Sequence, residues 1–151
     1  MVLNGVVFLS GAILMGLEIA GSRVLAPYFG NSIFVWGSLI GVFMAALSGG
    51  YYLGGEIADR HPRLSVLAGL IAAAGVSVFL VPFVGPGVSA FIARADLGPR
   101  GNPLAASMAL FFIPSVLLGT VSPFAIKLKA RDLERVGKAA GGLYALSTAG
   151  S

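Results

Sequence analysis

The stretch NSIFVWGSLIGVFMAALSGGYYLGGEIADRHPR (31–63) decides the architecture of this chain. From Ser32 to Gly55 it carries no charged side chain. At ~1.5 Å per residue a helix of that length crosses a hydrocarbon core of about 30 Å. Two rows of small residues recur along it every four positions. Gly37, Gly41, Ala45 and Gly49 form one row, and Ala46, Gly50, Gly54 and Ala58 the other. Lipid tails are as apolar as leucine, so membrane helices associate through close backbone approach and dispersion. Both rows are therefore expected to be packing faces, with this helix as the hub of a bundle.

Composition agrees with a membrane setting. Hydrophobic residues make up 57% of the 151 residues and charged ones 11%, against about 25% charged in ordinary soluble domains. The apolar runs are long and continuous, unlike the alternating ten-residue segments of a transmembrane barrel. The expected fold is an all-α integral membrane bundle, a single domain of four full transmembrane helices plus a partial fifth. With no cysteine, disulfides, thiolate metal sites and a cysteine nucleophile are excluded. The basic residues lie between apolar spans, a pattern that marks membrane orientation rather than nucleic-acid binding.

The spans are expected at Val2–Ala20, Ser32–Gly55, Leu64–Val84 and Leu104–Ile126, with a half-span from Ala139. A cleaved signal peptide competes for the first, but no Lys or Arg precedes Arg23. Pro27 and Gly30 punctuate the first turn, flanked by Tyr28 and Trp36 as an interfacial belt. Pro82, Gly85, Pro86 and Gly87 should end the third span, leaving Val88–Asn102 as the longest loop. Within that loop, Val88–Ala95 suits a short interfacial helix. Pro103 suits the first turn of the fourth span, and Pro114 and Pro123 should kink or loosen it. Lys127–Lys138 reads as a basic helix at the headgroup level. The thirteen residues from Ala139 are too few to cross the core. They imply either a longer parent protein or completion of the half-span in a homo-oligomer.

Few residues offer chemistry. Glu18 is the carboxylate set deepest in an apolar run, and burying it ionised is costly unless it is paired. It is a candidate for a cation or proton path together with Arg23. The alternative is a structural pair, although Arg23 lies about 140° round the helix from it. Glu56 sits at a span edge, where solvation or capping is expected. In the hairpin Gly55–Arg63, Asp59 at a helix C-terminus opposes the dipole unless it meets a basic group or a neighbouring helix N-terminus. Asp59, Arg60 and Arg63 are thus candidates for a latch between the second and third helices. An ordinary positive loop is the plainer reading. His61 has no second histidine to form a metal site. No strand and Gly-rich turn of a nucleotide site is present, and no catalytic residue or cofactor is expected.

The hairpin resembles the signature of the major facilitator superfamily, a Gly, three residues, then Asp-Arg and a further basic residue. It departs from that pattern in having Pro62 at the expected glycine turn and one basic residue fewer. Four stretches, LEIAGSRVLAPYFGNSIFVWGSLIG, GGYYLGGEIADRHPR, LLGTVSPFAIKL and GKAAGGLYALSTAGS, together resemble the N-terminal membrane domain of spermidine synthase-like proteins. That resemblance implies a transporter-like module preceding an aminopropyltransferase domain that this chain does not contain. It implies a multi-pass cell-membrane location and a role in polyamine-type synthesis or export. Two functional classes follow. One is a half-transporter-like module moving a small cation or polyamine. The other is an anchor and oligomerisation module without transport.

A cytoplasmic N-terminus puts Arg60, Arg63, Lys127, Lys129, Arg131, Arg135 and Lys138 inside and Arg23, Arg94 and Arg100 outside. That asymmetry obeys the positive-inside bias. Single cysteines placed at Arg60 and Arg94 should label from opposite sides of the membrane, and labelling from one side would refute this topology.

Overall fold

The computed structural model describes residues 2–129 and 136–150. They form six helices: α1 (Val2–Phe29), α2 (Ile33–Arg60), α3 (Leu64–Ala95), α4 (Gly98–Gly119), α5 (Val121–Lys129) and α6 (Val136–Gly150). Four apolar stretches reach membrane length, the fourth being α4 and α5 together. The chain is an all-α integral membrane bundle. Part of the expected headgroup helix, residues 130–135, lies outside the described residues.

The spans are longer and the turns shorter than the proline and glycine positions predict. Helix α1 continues through Pro27 to Phe29, because a proline this close to the end forfeits little of the remaining ladder. Gly30 then closes it: its N–H donates to the Ala26 carbonyl at 2.9 Å with φ at 73°. That left-handed position is one glycine occupies without a Cβ penalty.

Helix α3 also runs straight past Pro82 and Pro86. The expected break and the Val88–Asn102 loop are replaced by helix and a turn at Asp96 and Leu97. In an apolar environment a frayed helix exposes more unsatisfied backbone groups than the two donors the prolines remove. Packing favours the same outcome. Gly85 lies against Val24 of α1, and Val81, Val88 and Ile92 join the core around Leu25, Leu39 and Phe111.

Among the described residues, only one of the two glycine rows packs against the rest of the bundle. Ala46, Gly50, Gly54 and Ala58 are buried. A Cβ built on Gly50 would collide with the Val116 carbonyl, and one on Gly54 would lie 2.6 Å from Thr120 Cα. Gly37, Gly41 and Gly49 would meet nothing within 4 Å among the described residues, so their row faces away from the bundle. Neighbouring residues on a helix are turned about 100° apart, so a single partner covers one row and leaves the other bare.

The packed stripe changes character along α2. Toward the Asp96 end it consists of Val35, Leu39 and Phe43, with Phe43 stacked on Phe111 of α4 at 5.9 Å between centroids. Toward the Arg60 end it consists of alanine and glycine. Helices α2 and α4, which run parallel, thus close from side-chain contact at one end to backbone contact at the other. The hub is accordingly shared. In its most apolar window the α4–α5 span is 56% buried, against 39% for α2.

Helix α6 docks on α1 in a similar way. Cβ atoms on Gly11 and Gly150 would strike the carbonyls of Ser147 and Phe8, and Val7 and Leu143 are fully buried in the adjoining cluster. Gly50→Leu should destabilise the purified protein by about 1–3 kcal/mol, the scale of overpacking, while Gly41→Leu should leave monomer stability unchanged. Thermal or denaturant unfolding in detergent measures both. Equal melting of Gly50→Leu and the parent would contradict the close approach.

Candidate functional site

The fourth span is loosened where Pro123 has no N–H for the carbonyl of Gly119. Thr120 takes up the slack. Its N–H is shared between the Val116 and Leu117 carbonyls, at 3.2 Å each, and its hydroxyl donates to Leu117 at 2.7 Å. Helix continues with Phe124 N–H on the Thr120 carbonyl at 3.3 Å. The loosened turn expected at Pro123 is present, but the backbone stays helical through Thr120 (φ -64°, ψ -22°), so α4 and α5 run on as one span, and Pro114 lies inside α4.

Beside Pro123 is a partly open cavity of about 150 Å³ lined by residues of α1, α2, α4, α5 and α6. Its polar lining is Ser10, Tyr51, Ser122, Tyr144, Ser147 and Thr148, and its apolar wall includes Leu14, Leu47 and Leu118. Tyr51 and Tyr144 meet edge to face, their rings 6.5 Å apart. Ser10 donates its proton to the Val7 carbonyl at 2.8 Å, so its oxygen has only lone pairs left for the cavity. No charged side chain lines the space. The remaining hydroxyls can donate as well as accept, so the cavity offers a polar ligand both kinds of hydrogen bond.

Glu18 and Arg23 do not line this cavity. Glu18 is half-buried on α1 and Arg23 is exposed. Neither forms a hydrogen bond or ion pair among the described residues, so the structural Glu18–Arg23 pair is not made. The latch residues are placed differently from expectation. Asp59 reaches across to Lys127 of α5 at 2.6 Å, not to α3. Arg60 pairs within its own helix with Glu56, also at 2.6 Å. Arg63 is exposed at the start of α3 and pairs with nothing among the described residues. The Asp59 contact obeys the electrostatic rule that selected it, since the carboxylate found a cation, but the cation came from a span distant in sequence. Nearby, Lys129 donates to Asn4 of α1 at 3.1 Å, so α5 ties α1 and α2 together at this basic end. His61 caps α2 through its backbone N–H, 2.8 Å from the Ile57 carbonyl. No group of three metal-ligating side chains occurs among the described residues.

Sequence reasoning missed the hydroxyl cavity because its lining comes from separate spans and contains no ionisable acid or base with an obvious role. The available signal was the loosened turn itself: TVSP (120–123) puts two hydroxyl residues just ahead of a helix-loosening proline. Three further buried hydroxyls, on Ser89, Ser107 and Ser115, make no hydrogen bond to the described residues.

The fold and this cavity define the class, a polytopic α-helical membrane protein with a polar chamber among its helices. Comparison with protein-family models, curated proteins and solved structures returns no match to this chain.

The Asp59–Lys127 bridge is solvent-accessible at both ends. A double-mutant cycle with Asp59→Asn and Lys127→Gln should give a coupling of about 0.5 kcal/mol that fades in high salt. Strict additivity at low salt would show that the bridge contributes nothing.

Proposed function

We propose that this chain is a half-transporter-like membrane module in which a small cation or polyamine passes through the hydroxyl cavity. The observation that carries the reading is the juxtaposition of a hydroxyl-lined cavity with a membrane-length helix loosened at Pro123. A proline-loosened turn frees a backbone carbonyl within the span, and transporters use such carbonyls to coordinate cations. Polar groups in an apolar bundle are expensive to keep, and here six of them converge on one space. Glu18 lies about two turns farther along α1 from Ser10, without an ion-pair partner among the described residues. It would draw a cation toward the chamber from the Asp96 end. Arg23, farther along and exposed, would repel a cation and so select its approach.

In this reading the Arg60 end is cytoplasmic and the chain lies in the cell inner membrane, in keeping with its basic loops. The module belongs to a spermidine synthase-like protein, with its catalytic partner domain elsewhere. The bare row of Gly37, Gly41, Ala45 and Gly49 is available to a second copy or to the rest of a longer chain. The anchor reading draws on a separate observation. The backbone contact of Gly50 and Gly54 with the α4–α5 junction makes a stiff core that needs no solute to hold it.

Proteoliposomes loaded to compare spermidine, sodium and a blank distinguish the two. The parent should move one cation above the blank. Ser122→Leu, which fills the chamber, should cut that flux roughly tenfold, equivalent to about 1.4 kcal/mol. Glu18→Gln should lower it while the protein stays folded. Flux no higher than the blank from a folded parent would leave the anchor function.

A further inference from the structure

We propose that the cavity at the Asp96 end of the bundle is a binding site for an alkylammonium group. This site lies at the far end of the helices from the hydroxyl chamber. Its occupancy is an equilibrium property, so it stands or falls independently of transport.

The cavity has a volume of about 410 Å³ and is walled by Tyr28, Phe29, Phe34, Asp96, Asn102 and Pro103. That size suits a small organic ligand. Three aromatic rings and one carboxylate are the chemistry that recognises ammonium ions, because ring faces are electron-rich and the acid supplies the countercharge.

Two details sharpen the assignment. One of these rings already receives a cation: the guanidinium carbon of Arg100 lies 5.1 Å from the centroid of Phe34. Arg100 covers that ring without lining the cavity, so it places a competing positive charge beside the site. The second detail is Asp96. It has φ 47°, a left-handed conformation uncommon for a residue with a side chain. Arg94 and Arg100 are close in sequence, yet Asp96 forms no ion pair among the described residues. The turn that holds it is fixed by Asn102, whose side-chain oxygen accepts the Leu97 N–H at 2.8 Å. Asp96 is exposed and lines the same cavity as the three rings, so its charge is available to an external cation. Tyr28 and the nearby Trp36 also mark this end as interfacial. The ammonium group could therefore belong to a free amine or to a zwitterionic lipid headgroup.

The test uses the full chain in nanodiscs of phosphatidylglycerol, a lipid without an ammonium group. Trp36 is the sole tryptophan and sits one turn from Ser32 at the cavity mouth, so its fluorescence reports binding. Tetramethylammonium and butylammonium should titrate saturably, and the neutral isostere 3,3-dimethyl-1-butanol should not. Asp96→Asn and Phe34→Leu should each weaken binding about fivefold or more, the scale of a single cation–π or charge contact. Arg100→Gln should tighten binding by about fivefold, since it removes a competing positive charge beside the site. A gain of affinity cannot arise from misfolding, so that variant keeps the test decisive. Repeating the titration in discs containing phosphatidylcholine separates the sources: competition by the lipid assigns the site to headgroups, and an unchanged affinity assigns it to free amines. Equal binding of the cation and its neutral isostere, or weaker binding by Arg100→Gln, would overturn the proposal.

Discussion

The rest of the structure depends on the close approach of α2 to the junction between α4 and α5. Gly50 and Gly54 bring the two backbones into contact at Val116, Gly119 and Thr120. Without an apolar solvent effect to drive helices together in lipid, this contact supplies dispersion that bulkier residues would prevent. It also fixes the tilt of the pair. With Phe43 and Phe111 spacing the helices at the other end, α2 and α4 form a wedge. The chamber opens beside the narrow end of that wedge, where the α4–α5 junction, α1 and α6 meet.

The same constraint explains how polar groups are managed. Three buried hydroxyls turn back on their own helix: Ser10 on Val7, Ser22 on Ile19, Thr120 on Leu117. Such bonds satisfy the donor locally and leave oxygen lone pairs facing outward. Charged side chains are drawn to the ends instead. At the basic end they become inter-helix ties, Asp59 to Lys127 and Lys129 to Asn4. At the other end Arg100 rests on an aromatic ring and Asp96 lies at a turn. The two ends thus differ in kind. One is stapled by charge pairs, the other is an open aromatic cavity.

The sequence by itself determined the membrane setting, the all-α fold and the count of four full spans. Each follows from local quantities, namely the length of uncharged runs and helical spacing. It also selected Asp59 for a latch and Gly50 and Gly54 for packing, because dipole and size rules act on single residues. What it did not determine was anything requiring a partner. Of two equivalent glycine rows only one met α4, since the orientation of α2 is fixed by its bulky half at Leu39 and Phe43. Pro82 and Pro86 predict a break by local rules, yet α3 stays helical where its flank packs on α1. The ion-pair partner of Asp59 was Lys127, far along the chain. The hydroxyl chamber came from five helices, none of which shows it alone. Periodicity along one helix specifies a face, and only the assembled bundle specifies what covers that face.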